Sequence, residues 1–104
     1  MSGYILHPEA YTDLASIWEF IANDNLDAAD RLREQIYESI KRLVLFPHQG
    51  HWRSDLTSKR LRFQTVGNYL IAYAPDENPL LVLAILHGRR NPRTVAAILR
   101  CRDK

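Results

Sequence analysis

One cysteine, four glycines and five prolines are all that 104 residues hold of the types that staple or punctuate a chain. The lone Cys101 has no second thiol to pair with, which excludes an internal disulfide framework and fits a reducing environment. No base stands beside it in sequence, so it reads as an incidental thiol rather than a nucleophile. The longest apolar run, Leu80 to Leu86, falls far short of the ~20 residues that a membrane-spanning helix needs. No G-x-S-x-G turn and no glycine-rich phosphate loop occurs, which leaves hydrolase and nucleotide-binding readings without support. Low-complexity tracts and internal repeats are also missing, as in an ordinary globular chain rather than a disordered one. The opening MSGYILHPEA has neither a basic leader nor a long apolar stretch before a small-residue cleavage site, so the expected compartment is the cytoplasm.

What is present is a chain 46% hydrophobic and 25% charged, expected to fold as one domain over residues 1–104. Its net charge of +2 conceals an asymmetry: residues 1–50 carry eight acids against four bases, and residues 51–104 carry ten bases against four acids. The basic half is the one placed to meet a nucleic acid or an acidic protein segment.

Tyr4 to Leu6 is a short β-prone run, and His7-Pro8 opens a helix with proline in its first turn, where the missing N–H is harmless. Leu14, Ile17, Trp18, Ile21 and Ala22 fall on one helical stripe. After the break Asn23 to Asp27, with Asp27 as the expected N-cap, Ala29, Leu32, Ile36, Ile40 and Leu43 form a second stripe that ends before Pro47. Pro47 to Lys59 lacks periodicity and reads as a loop. Strands are expected at Arg60 to Thr65, Tyr69 to Ala74 and Leu80 to Leu86, the first two joined at Gly67-Asn68. The last, apolar throughout, suits a central strand covered on both faces. Pro92 opens a short C-terminal helix with Val95, Ala96, Ile98 and Leu99 on its apolar side. The expected class is α+β: an N-terminal strand and helical hairpin packed on a small antiparallel sheet, then a short helix.

His48 and His51 form an H-x-x-H pair, but in a loop, with only Asp55 near enough in sequence to add a ligand, so no metal site is expected. Paired acids such as Asp24 with Asp27, or Asp76 with Glu77, sit in turns and read as caps and turn formers. The arginines carry the remaining signal. Arg60 and Arg62 alternate with Leu61 and Phe63, which puts them on one strand face, while Arg89, Arg90 and Arg93 gather where the last strand meets the C-terminal helix. If the strands pair as read, all five converge into a surface that grips anionic groups.

The order of these elements, with RLRFQTVGNYLIAY, FPHQG and VLAILHGRRNP on them, resembles the ParE/RelE superfamily of toxins from type II toxin-antitoxin systems, over roughly Tyr4 to Ile98. The RelE-like branch consists of ribosome-dependent mRNA endoribonucleases. Where that branch has an arginine after the tyrosine of the middle strand, this chain has Leu70, and where it has a tyrosine beyond the arginine pair, Ala96. Lysines of the preceding strand match Leu61 and Phe63, and Arg90 fits cleanly. Phosphodiester cleavage needs groups that move protons as well as groups that stabilise charge, and one arginine does only the second. A nuclease reading would have to rest on a rearranged set, Arg62, His87 and Arg90.

The resemblance is closer to the ParE branch, whose members poison DNA gyrase. It implies a non-enzymatic inhibitor without a cofactor, with Arg60, Arg62, His87, Arg89, Arg90 and Arg93 as target contacts. It further implies a ParD-like antitoxin whose flexible segment covers an apolar groove, to which Tyr11, Trp18, Phe20 and Tyr37 are assigned. DNA would be engaged only indirectly, through the toxin-antitoxin complex.

Overall fold

The computed structural model describes residues 3–102; Met1, Ser2, Asp103 and Lys104, the two ends of the expected domain span, lie outside the described residues. The chain runs β1 (Tyr4–Leu6), α1 (Pro8–Ala22), α2 (Leu26–Leu45), β2 (Arg62–Val66), β3 (Tyr69–Ala74), β4 (Leu80–His87) and α3 (Pro92–Cys101). The α+β class holds. The four strands form a single sheet in the order β1-β4-β3-β2. The β2-β3-β4 meander is antiparallel, and β1 adds to its outer side parallel to β4, so the sheet is mixed.

Local chemistry sets most of the boundaries. Pro8 occupies the first turn of α1, and His7 caps it by accepting the Glu9 N–H on Nδ1 at 3.1 Å. For α2 the cap is Asn25 rather than Asp27: Asn25 is extended and its side chain accepts the Ala28 N–H at 3.0 Å. The helix therefore starts at Leu26, and Asp27 lies inside its first turn, where its charge faces the positive end of the helix dipole. Strand β2 begins two residues later than expected. In the observed register Arg62 faces Tyr73, so Arg60 would face Pro75, which has no N–H for the ladder. Gly67 turns the β2-β3 hairpin at φ +59°, a left-handed conformation with open space around it.

Both faces of the sheet are covered, as the unbroken apolar run of β4 requires; only Leu81 and His87 of that strand escape full burial. On one face the helical hairpin packs Leu14, Ile36, Ile40 and Leu43 against Ile71, Tyr73, Val82 and Ile85. On the other, Val95 and Leu99 of α3 and Leu56 of the long loop pack against Leu61, Phe63, Leu83 and Leu86. The α3 layer completes a three-layer arrangement rather than the two layers of sheet and hairpin alone. The α2 stripe is buried nearly as spaced, whereas of the α1 stripe only Leu14 is fully buried, and Trp18, Ile17, Ile21 and Ala22 are half-buried.

A bulge breaks β4. Ala72 faces Ala84 but Tyr73 faces Val82, which leaves Leu83 as an extra residue in the strand. Beyond Val82, β1 no longer runs alongside, so the outer edge of β4 from Leu83 to His87 has no neighbouring strand among the described residues.

Candidate functional site

The central strand ends at His87, and three arginines emerge just beyond it. Gly88 donates its N–H to the Asn68 carbonyl at 2.7 Å, and a Cβ there would lie 3.2 Å from that oxygen. Its smallness serves this close approach to the β2-β3 turn. The Arg89 N–H then bonds back to His87 Nδ1 at 3.1 Å, and the Arg90 N–H to the His87 carbonyl at 3.1 Å. Asn91 accepts the Arg93 N–H at 2.8 Å and Pro92 follows, so α3 starts at once. These local bonds hold Arg89, Arg90 and Arg93 on the surface, and among the described residues none of the three guanidinium groups has a hydrogen-bond or ion-pair partner.

The other two arginines do not join them. Arg62 sits on the same sheet face as His87, but four residues along β2 from Val66, the residue level with His87, and two strands over. That is roughly 13 Å along the sheet and about 10 Å across it. Its guanidinium is committed locally, donating to the Gly50 carbonyl at 2.7 Å and lying 4.2 Å from the centroid of the Trp52 ring. Arg60, outside the strand, pairs with Asp76 at 3.1 Å, and His48 approaches the same carboxylate at 3.7 Å. The expected convergence of five arginines is thus corrected to two clusters, because the β2-β3 register carries Arg62 to the far end of the hairpin. The same register holds Arg62 of the rearranged nuclease set apart from His87 and Arg90. The positions where the nuclease branch has its lysines, Leu61 and Phe63, are buried in the core beneath α3 with Leu70 packed against them.

Of the four residues assigned to an apolar groove, three meet. Tyr11, Trp18 and Tyr37 line a cavity of about 450 Å³ between α1 and α2, with Leu14 at its base and Arg33 beside it. Trp18 is fixed there: its Nε1–H donates to Asp30 at 2.9 Å, and Arg33 both pairs with Asp30 at 3.3 Å and lies 5.5 Å from the indole centroid. Burial raises the Tyr37 pKa, with the neighbouring Tyr4 and Tyr11 adding to it, so the phenol stays neutral. Phe20 is not in this groove. It stands 74% exposed on the opposite flank of α1, beside His87 and Arg90. Residues 18 and 20 are about 200° apart around a helix, which separates them by geometry.

Two constellations have no signal in the sequence pattern. Asp13 and Arg102 meet at the unpaired edge of β4. Arg102 donates through both terminal nitrogens to the Asp13 carboxylate, one bond being 2.9 Å, and also to the Leu83 carbonyl at 3.1 Å. Asp13 in turn accepts the Ile85 N–H at 3.0 Å. The pair therefore satisfies two backbone groups on the outer edge of β4, past the end of β1. The Asp13 bonds raise the Arg102 pKa further above its ordinary value. The second constellation explains FPHQG. The buried Tyr73 hydroxyl donates to the Pro47 carbonyl at 2.7 Å and accepts the Gly50 N–H at 2.9 Å. A Cβ at Gly50 would fall 2.5 Å from that hydroxyl and 2.9 Å from the Phe63 carbonyl, so the loop closes on the sheet only with glycine there.

No helix among the described residues is long and apolar enough to cross a membrane. A family model described as the ParE toxin of type II toxin-antitoxin system, parDE, matches residues 4–92. A comparison with curated proteins finds no match.

Proposed function

Because the chain belongs to the ParE toxin family of type II toxin-antitoxin systems, we propose that it arrests growth by poisoning DNA gyrase and that a ParD-like antitoxin neutralises it in the cytoplasm. The reading takes residues 1–104 as one toxin domain. One observation carries the choice of target. His87, Arg89, Arg90 and Arg93 crowd the end of the central strand with three uncommitted cations, while Leu61, Phe63 and Leu70 fill the positions a messenger-cutting relative would use. Uncommitted guanidinium groups grip carboxylates and phosphates through charge-assisted, often bidentate hydrogen bonds. They do not by themselves shuttle the protons that strand cleavage needs. This supports an inhibitor that holds a protein target rather than a nuclease.

The target contacts are then His87, Arg89, Arg90 and Arg93. Arg60 and Arg62 contribute through the loop they brace. The antitoxin occupies the groove of Tyr11, Trp18 and Tyr37, whose half-exposed aromatic walls suit the apolar face of an amphipathic segment. Promoter DNA is contacted by the complex rather than by this chain alone.

Purified protein added to gyrase should suppress supercoiling or trap cleaved DNA, and a translating extract treated in parallel should show no codon-specific cuts. Messenger cleavage with normal supercoiling would overturn the target. Neutralising Arg89 and Arg90 together should abolish growth arrest with the fold intact, and calorimetric titration with the antitoxin segment should weaken on Trp18→Ala.

A further inference from the structure

Phe20, assigned with the aromatic groove by sequence, instead lines a separate cavity of about 310 Å³ with Ser16 and Asp13 of α1, Tyr69 of β3, His87 at the end of β4, and Arg90. The polar groups there are arranged to receive an anion. The Arg90 guanidinium has no hydrogen-bond or ion-pair partner among the described residues. His87 accepts the Arg89 N–H on Nδ1 at 3.1 Å, so a neutral ring carries its proton on Nε2 and presents it as a donor. The ring is held in orientation by an edge contact with Tyr69, centroids 5.2 Å apart. The one acid in the lining, Asp13, is saturated by Arg102 and the Ile85 N–H and does not neutralise Arg90. Beside this donor pair stands Phe20, 74% exposed.

We infer that this cavity is a recognition pocket for an acidic residue adjoining a bulky apolar one in a protein partner, the carboxylate bridging Arg90 and His87 Nε2 and the apolar side chain lying on Phe20. Charge complementarity selects the acid, and the exposed ring selects a peptide over a bare anion. The inference deepens the reading that the basic end of β4 faces a protein. It also moves Phe20 from the α1-α2 groove to that end.

The full-length chain is titrated with the blocked dipeptide acetyl-Leu-Glu-amide, with acetyl-Leu-Gln-amide, and with inorganic phosphate, while the ring resonances of Phe20, Tyr69 and His87 are followed by NMR. The acidic dipeptide is expected to shift all three rings and saturate with a Kd on the order of 1–10 mM. The glutamine version should bind at least about tenfold more weakly, as should the acidic dipeptide to Arg90→Gln. Phe20→Ala should weaken the dipeptide and leave phosphate unchanged. Equal shifts from the glutamate and glutamine dipeptides, or none from either, overturn the pocket, and that comparison needs no variant. Phosphate binding as well as or better than the acidic dipeptide overturns the peptide assignment. No target protein is present, so the outcome is independent of the supercoiling assay: binding here with gyrase untouched would sink the target and keep the pocket, and the reverse pattern would do the opposite.

Discussion

Replacing Arg102 with methionine removes the cation that closes the unpaired edge of β4. The side chain of Arg102 is 9% exposed and that of Asp13 15%, so neither charge is well screened by water. After the substitution Asp13 keeps only the Ile85 N–H, and the Leu83 carbonyl loses its donor. Removing one partner of a buried pair costs about 3–5 kcal/mol, and the residual exposure here favours the lower end, about 3 kcal/mol. For a chain of this length that corresponds to a melting temperature lower by about 15 °C. With a urea slope of about 1.5 kcal/mol per molar, the midpoint falls by about 2 M. Asp13→Leu should cost a similar amount, and the double variant far less than the two together, because no charge is then left alone. The assay is urea unfolding of the four proteins at pH 7, repeated in 1 M salt, which should leave the difference largely in place. A loss below about 1 kcal/mol that disappears in salt, the behaviour of an exposed ion pair, would mean that this pair does not hold the edge of β4.

Tyr73→Phe strands the Gly50 N–H and the Pro47 carbonyl and should cost about 1–3 kcal/mol, read from the same unfolding curves, with the largest rise in hydrogen exchange in the loop at 47–59. Burial raises the pKa of both Tyr37 and Tyr73 above the usual value near 10, so the unfolded chain releases these protons first and stability must fall with rising pH. From about neutral pH upward, urea midpoints should be level to about pH 10 and decline above it, a decline that Tyr73→Phe reduces. Arg62→Ala removes the cation over Trp52 and the bond to Gly50, and should cost about 1–2 kcal/mol with a shift in tryptophan emission. An Arg62→Ala protein that keeps its stability but loses growth arrest would restore Arg62 as a direct target contact. Gly67→Ala should cost about 1 kcal/mol through backbone strain alone, since no atom lies near the new methyl group.

Sequence pattern alone decided the elements. Helical spacing in Ala29 to Leu43, alternation in the hairpin strands and the apolar run of β4 are consequences of which side chains must leave water, and that information is local. The family was equally legible, because the HGRR turn and the FPHQG loop sit at fixed places on those elements. Tertiary structure decided what lies beside what. The sequence cannot state a strand register, and the register sent Arg62 to the far end of the sheet from His87 and made it a brace for the long loop. Helical geometry alone parts Phe20 from Trp18, but it does not state which way a helix faces, and only the packing of α1 on the sheet set Phe20 beside Arg90. Asp13 and Arg102 are 89 positions apart, and only the edge of β4 past the end of β1, with two backbone groups left to satisfy, gives them a reason to meet. Burial of apolar surface is additive along a chain and can be read from it, whereas hydrogen bonds and charge contacts depend on distances of a few ångströms that folding alone sets.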